Sequence, residues 1–154
     1  MIINTVQEFY KFFIKGKPII SIDYGKRKIG IAISDPNHNI SMPLCLIDTS
    51  SEKRQLQQII DLIKKHDTCT VVVGMPINMD GTQSDQTLVI LKFASRLSTH
   101  INIPIFMQDE RLTSKAADNL LKSLDLKRKQ RNQKDDIIAA SMILETVLES
   151  CKKI

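Results

Sequence analysis

The sequence contains few of the residues that mark specialised classes of protein. Glycine and proline occur only five times each, in no repeat, so a fibrous or low-complexity chain is excluded. The three cysteines, Cys45, Cys69 and Cys151, are odd in number and no two form a C-x-x-C pair. Neither a disulfide framework nor a zinc cluster is therefore indicated, and we expect a chain that works in a reducing cytoplasm.

Long apolar runs are also missing. No segment approaches the roughly 18 continuous apolar residues of a transmembrane helix, so no membrane partner is expected. The amino end contains Glu8 and lacks both a basic start and a small-residue cleavage site, which argues against a secretory signal. Linkers and internal repeats are absent as well, so the 154 residues predict one domain with its own core.

The apolar residues that are present follow an α/β pattern. Strands are predicted at residues 19–22, 29–33, 42–47, 70–74 and 103–107, and helices at 51–66, 83–99, 113–126 and 134–150. In the helix at 83–99 we expect an inward face of Leu88, Leu91, Ala94 and either Ser95 or Leu97. This order predicts a five-stranded mixed sheet with helices on both faces and with the first and fourth strands adjacent at its centre. Residues 19–150 would form this domain, behind an extension of residues 1–18 that carries a short helix beginning after Asn4 or Thr5 and ending before Pro18.

Carboxylates recur where the apolar strands end. Asp23 closes the first strand, Asp109 and Glu110 follow the fifth, and Asp135 and Asp136 lie near the start of the last helix. The predicted topology brings these places to one edge, and converging carboxylates stay ionised only beside a cation. Hard oxygen ligands suit Mg²⁺ or Mn²⁺, and two such ions about 3.5–4 Å apart support phosphodiester cleavage.

Each acidic residue also has an ordinary structural explanation. Asp23 precedes a glycine-containing turn, where aspartate is common. Asp135 and Asp136 would occupy the first turn of their helix, where the helix dipole favours acids. The residues alone leave the catalytic and the structural explanations open.

Four segments then resemble the motifs of the YqgF family. They are DYGKRKIGIAISD at 23–35, VVGMPINMDGT at 72–82, DERLT at 109–113 and DIIAA at 136–140, in order and across residues 19–149. The resemblance implies an RNase H-like fold and a nuclease with two bound Mg²⁺ or Mn²⁺ ions. By the same resemblance Asp23, Glu110 and Asp136 are the catalytic, metal-binding triad. Asp136 is preferred over Asp135 because it keeps the family's spacing to the Ala-Ala pair.

The resemblance also implies a nucleic-acid partner. The substrate would be pre-rRNA, cut to process the 5′ end of pre-16S rRNA in ribosome biogenesis, with branched DNA and Holliday junction resolution as the alternative. Two departures from the family are visible, Arg27-Lys28 in place of the usual Lys-Arg pair and the long start at residues 1–18. Asp35, Asp80 and Asp109 are assigned to turns or to support of the triad.

Basic and polar residues around these motifs are the candidate nucleic-acid contacts. The net charge of +5 is modest, but five cations fall within residues 127–134. A solvated helical linker is the ordinary alternative for that run, and few aromatic residues lie near it to stack on bases. The full set of candidates is Lys26, Arg27, Lys28, Asn78, Thr82, Arg111, Lys127, Arg128, Lys129 and Arg131.

Two further classes of function stay open at this level. An Asp-x-Gly hairpin also begins the sugar-kinase and actin fold, although 154 residues leave no second domain to close over ATP. A non-catalytic RNA-binding module with structural acids is the other alternative. The sequence is compatible with a monomer or a homodimer, and a four-way junction substrate would favour the dimer.

Overall fold

The structure is a computed structural model that describes residues 1–25, 27–78, 80–109 and 128–154, and for 128–136 only the course of the backbone. Its elements follow a mixed α/β order. In chain order they are β1 (Ile2–Ile3), α1 (Val6–Tyr10), β2 (Ile19–Asp23), β3 (Lys28–Ser34), β4 (Ser41–Asp48), α2 (Glu52–Lys65), β5 (Thr70–Met75), α3 (Asp85–Ser98), β6 (Ile105–Asp109) and α4 (Arg128–Lys152). The predicted helix at residues 113–126 lies outside the described residues.

One sheet of six strands organises these elements in the order β1-β6-β5-β2-β3-β4. β2, β3 and β4 form an antiparallel meander, whereas β5, β6 and β1 are parallel to one another and β5 is parallel to β2. The predicted adjacency of β2 and β5 at the centre is confirmed. The prediction of five strands missed β1, because a two-residue strand is too short to show the alternation that identifies strands in sequence.

Helices cover both faces of the sheet, as predicted. α2 and α3 pack on one face, where Ile59, Ile63, Ile90 and Phe93 meet the inward residues of β2, β3 and β5. α1 and α4 cover the other face in a second apolar cluster that includes Phe9, Ile143 and Val147. Alternation along the central strands thus sends neighbouring side chains to different helical layers, which fixes the register of β2, β3 and β5.

The buried face of α3 agrees with the predicted one only in part. Ala94 and Leu97 are buried and Leu91 packs against the core, as predicted, whereas Leu88 is 50% exposed and Ile90 and Phe93 are buried instead. Phe93 explains this choice, because its ring stacks on Tyr24 with the ring centroids 4.3 Å apart. Burial of that aromatic pair outweighs burial of Leu88, and the helix is rotated accordingly.

Two helix boundaries also differ from the prediction. α1 ends at Tyr10 rather than near Pro18. The amides of Lys11, Phe12 and Phe13 donate to carbonyls three residues back, as in a 3₁₀ turn, instead of four residues back as in an α-helix. α4 begins at Arg128, so Asp135 and Asp136 lie about two turns inside it rather than in its first turn. The helix-dipole explanation of these two acids is therefore wrong.

A tight loop between β3 and β4 depends on one carboxylate. Asp35 accepts hydrogen bonds from the main-chain N–H groups of Asn37 at 3.2 Å, Asn39 at 2.6 Å and Ile40 at 2.8 Å. Burial alone would raise the pKa of Asp35, but these main-chain donors outweigh it and hold the pKa below its ordinary value. Asp35 is thus a turn residue, in agreement with its predicted role.

We predict that Asp35→Ala lowers the free energy of unfolding by about 1 kcal/mol at neutral pH, a modest figure because the carboxylate is only partly buried and solvent screens it. Because the folded pKa is depressed, this contribution is present above the unfolded pKa of about 3.9 and is lost as the pH falls through the folded pKa. Urea denaturation over a pH series should therefore show wild type and variant converging in acid.

Candidate active site

Asp23 occupies the carboxyl end of the central strand β2. Its neighbours Ile22 and Tyr24 are buried in the core beneath α2 and α3, so alternation directs Asp23 and Ser21 to the face covered by α4. The side chain of Asp23 is only partly buried, unlike the four residues before it. Its carboxylate is thus mounted on a fixed strand and reaches the rim of the sheet.

Glycines flank Asp23 on both sides in the sheet. Gly30 of β3 is its direct antiparallel partner. On the other side Gly74 follows Val73, which pairs with Ile22 of β2, and so stands next to Asp23 in register. The two positions that flank Asp23 in the sheet are therefore both occupied by glycine.

The turn after Asp23 brings the main chain unusually close to itself. A Cβ atom placed on Gly25 would lie 2.4 Å from the carbonyl oxygen of Lys28, so no larger residue fits this turn. Arg27 forms an exposed ion pair with Asp48, with Nε and Oδ1 3.1 Å apart. The turn therefore holds Arg27 and Lys28 beside the rim that carries Asp23.

Two serines fix α4 against the sheet. The hydroxyl of Ser21 donates to the carbonyl oxygen of Ala140 at 2.6 Å, and Ser41 donates to the adjacent carbonyl of Ser141 at 2.7 Å. Ser21 is fully buried. Two consecutive carbonyls of one helix are thus tied to two strands, which sets both the position and the rotation of α4.

The direction of α4 follows from its other end. Leu148 and Cys151 line a cavity with His38, whose Nε2 lies 2.7 Å from the carbonyl oxygen of Lys17, just before β2. The end of α4 therefore lies near the start of β2, and residues before Ala140 run towards the Asp23 end. Ser21 and Asp23 are about 6.6 Å apart along β2, which is close to the rise of one helical turn.

The end of β6 reaches the same edge of the sheet. Asp109 pairs with Met75 and Gln108 pairs with Gly74. Phe106 packs under α4 and Met107 packs beneath α3, so alternation places Asp109 on the face away from Asp23. Asp109 therefore belongs to a different face from the proposed catalytic carboxylate.

The loop after β5 is closed by its own polar groups. Asn78 donates from its side-chain amide to the Thr82 hydroxyl at 2.9 Å, and the main chains of the same two residues pair at 2.9 Å. Asp80 accepts from the main chain and the hydroxyl of Thr82. The N-cap of α3 is Ser84, in a capping box with Thr87, so Thr82 does not cap this helix. Asn78 and Thr82 therefore shape an exposed loop, and their predicted contact with nucleic acid stays a prediction.

Only some of the remaining predicted site residues lie in the described part of the chain. Arg128, Lys129, Arg131 and Asp136 lie on the described backbone of α4. Lys26, Glu110, Arg111 and Lys127 lie outside the described residues. Within the described part of the chain, no three histidine, cysteine or acidic side chains come together as a metal site. Likewise, none of the described helices combines the length and apolarity that a bilayer crossing needs.

The place of Gly74 at the end of the strand next to Asp23 agrees with the predicted adjacency of the first and fourth strands. Sequence reasoning missed two other features of this site. The pairing of Gly30 with Asp23 is one, because it requires the strand register. Ser21 was read as part of an apolar strand. A single hydroxyl inside the run Ile19 to Ile22 was the available signal, since a buried hydroxyl requires a partner.

Two solved structures show which fold this is. The RuvC of T. thermophilus in complex with a Holliday junction substrate matches with a TM-score of 0.50 at 14% identity, over 82% of this chain and 91% of that one. The fowlpox virus resolvase with junction DNA matches with a TM-score of 0.53 at 17% identity, over 86% and 97%. The fold is therefore the RNase H-like fold of these resolvases.

Sequence comparison gives the family. Residues 17–150 match the family model "RuvX: Holliday junction resolvase". A relative from Rickettsia bellii, named "Putative pre-16S rRNA nuclease", is 52% identical over 154 residues, and one of the same name from Rickettsia felis is 51% identical, each over the full length of both chains. The chain belongs to the RuvX family, which confirms the YqgF resemblance. It is a nuclease, an enzyme that hydrolyses phosphodiester bonds.

We predict that Ser21→Ala loosens α4 without unfolding the protein. The loss of one hydrogen bond should lower the free energy of unfolding by about 0.5–1.5 kcal/mol and speed amide exchange near Ala140. The matched control is Ser150→Ala, since the Ser150 hydroxyl bonds within α4 to the carbonyl of Thr146 at 3.0 Å. Equal exchange rates near Ala140 in both variants would show that Ser21 does not hold the helix.

Proposed function

We propose that the chain is a Mg²⁺- or Mn²⁺-dependent nuclease whose ions are held by Asp23, Glu110 and Asp136. The observation that carries this proposal is the placement of Asp23, a partly exposed carboxylate between two glycines on the face under α4. Carboxylate oxygens are the donors that Mg²⁺ and Mn²⁺ prefer, so the residue types fit these ions. When bound, such ions neutralise developing charge and activate water for attack on phosphorus.

Helix periodicity supports Asp136 as the second ligand. Position 136 precedes Ala140 by four residues, so a continuous α-helix places both on one face, and Ala140 faces β2 through Ser21. From the contact between Ser21 and Ala140, two residues along β2 lead to Asp23, and one turn back along α4 leads to position 136. These two distances are similar. Position 135 is turned about 100° away. Asp136 is thus the acid of the pair that suits Asp23.

Strand alternation supports Glu110 as the third ligand. Phe106 and Gln108 face α4, whereas Met107 and Asp109 face the other layer. Asp109 therefore faces away from Asp23, so we propose Glu110, the other acid of the DERLT motif, as the third ligand.

Basic groups near this edge would bind the phosphates that flank the cut. Arg27 and Lys28 are held by the turn that follows Asp23. Arg128, Lys129 and Arg131 lie in the first turns of α4, ahead of Asp136 on the same helix. Cations at these two places suit a polyanion lying across the carboxylates.

The proposed substrate is the 5′ end of pre-16S rRNA, cut in the cytoplasm during ribosome biogenesis. The support is the name shared by the full-length Rickettsia relatives. Resolution of Holliday junctions is the second candidate, favoured by the description of the family model and by the fold of two resolvases. Junction resolution would require a homodimer, because two strands must be cut symmetrically.

The decisive experiment is a cleavage assay with purified protein, Mg²⁺ or Mn²⁺, and EDTA as the blank. Substrates are precursor rRNA ends, single-stranded RNA and a four-way DNA junction. We expect metal-dependent cut products on the rRNA precursor. Preferred cleavage of the junction, with a dimer in solution, would instead select the second candidate.

We predict that Asp23→Asn abolishes this cleavage while leaving the fold intact. The amide keeps the shape of the carboxylate but removes the charge that an ion requires. Thermal unfolding without metal should be close to that of wild type. Full metal-dependent activity in this variant would remove Asp23 from the mechanism.

Asp136→Asn and Asp135→Asn form a matched pair of adjacent charge deletions on one helix. We expect Asp136→Asn to lose cleavage and metal binding measured by calorimetry, whereas Asp135→Asn retains most of both. The reverse ranking would mean that the register assigned to the acidic pair is one residue out.

A further inference from the structure

A cavity of about 540 Å³ lies at the end of the sheet opposite to Asp23. It forms where residues 10–15, the loop between β3 and β4, and the last turns of α4 meet. β2 begins beside this cavity and ends at Asp23, so the two places are at least about 13 Å apart along the strand. The cavity is therefore separate from the candidate active site.

One wall of the cavity is aromatic. Tyr10 is 47% exposed, and its ring lies 5.3 Å from that of Phe13, centroid to centroid. Phe13 in turn packs against the ring of His38 at 4.9 Å. An exposed tyrosine ring that rests on other rings is a rigid platform on which a planar group can stack.

The opposite wall is a preorganised loop that presents amides. Asp35 holds the main chain of Asn37 and Asn39, and the N–H of Gly16 donates to the Pro36 carbonyl at 3.0 Å. The side-chain amides of Asn37 and Asn39 make no hydrogen bond to any residue that the structure describes. They are exposed donors and acceptors on a loop that is already fixed.

The charges of the lining are all positive within the described part of the chain. Lys15 and Lys152 lie on two sides of the cavity, and no carboxylate lines it. Lys152 forms an exposed ion pair with Glu149 at 3.5 Å, which is weak enough to yield to a phosphate. Two ammonium groups around an aromatic and amide-lined cavity match an anion that carries a planar, hydrogen-bonding ring.

We infer that this cavity binds one nucleotide of a single-stranded stretch of nucleic acid, as a second contact for the substrate far from the cut. The base stacks on Tyr10, its edge meets Asn37 and Asn39, and its flanking phosphates meet Lys15 and Lys152. Part of the cavity comes from residues 10–15, which precede the segment matched by the family model. The site adds affinity for substrate and takes no part in the chemical step.

The test uses two double variants of the full chain with equal change in charge. Lys15→Ala with Lys152→Ala removes both ammonium groups of the lining, whereas Lys11→Ala with Lys153→Ala removes exposed lysines that do not line the cavity. Binding of a short labelled single-stranded RNA is measured by fluorescence anisotropy in EDTA, so that neither metal binding nor cleavage affects the result.

We expect the lining pair to weaken binding about tenfold and to reduce the log–log salt slope by about 1.4, since each phosphate contact on a single strand contributes about 0.7. The control pair should stay within about twofold of wild type. Tyr10→Ala should also weaken binding about tenfold, and Tyr10→Phe should retain it. Tyr10→Leu fills the same space without an aromatic face and serves if the alanine variant unfolds.

Equal losses of RNA affinity in the two double-lysine variants would overturn the inference. Such a result would mean that RNA is bound only by general attraction to a basic protein. Retained affinity in Tyr10→Leu would do the same. Displacement of the RNA by a short polyglutamate peptide at lower concentration than by unlabelled RNA would assign the cavity to an acidic protein partner instead. Because the readout is binding without metal, these outcomes are independent of whether the proposed cleavage is found.

Discussion

The parallel pairing of β2 with β5 is the constraint on which the rest of the molecule depends. It joins an antiparallel meander to a parallel half-sheet, and it requires α2 to cross over one face. Both strands then end at the same edge, which brings Gly74 beside Asp23. Because the central strands are buried on both faces, a slip of one residue would move each row of isoleucines and valines into the opposite helical layer and disrupt the packing of both layers. The position of the candidate catalytic carboxylate is therefore fixed by the core itself.

Much of this fold could be predicted because most strands and helices have a recognisable pattern of apolar residues in the local sequence. Continuous apolar runs marked β2, β3 and β5, and helical spacing marked α2 and α4. The predictions that were wrong concern features that depend on tertiary packing or on very short elements. α3 offered two apolar stripes, and the stacking of Phe93 on Tyr24 decided between them. β1 was missed because a strand of two residues is too short to show an alternation of apolar and polar residues.

The candidate site was predictable to a smaller extent. Asp23 could be proposed from its place at the end of an apolar strand, and the family motifs supplied Glu110 and Asp136 as the other candidates. The pairing of Gly30 with Asp23 could not be predicted, because it depends on the register of two strands. The bond from Ser21 to Ala140 could not be predicted either, because it joins two elements that are far apart in sequence. Sequence shows which groups carry chemistry, whereas register shows which groups hold them in place.

The two edges of the sheet bear on how the protein behaves in concentrated solution. β4 is one edge and contains Pro43, which cannot donate a main-chain hydrogen bond to an added strand. The other edge is β1, whose two residues cover part of the apolar strand β6. Short strands and proline are devices that prevent sheets of separate molecules from joining. The first residues of the chain thus protect β6 from self-association, and a protein shortened at its amino end would lose that protection.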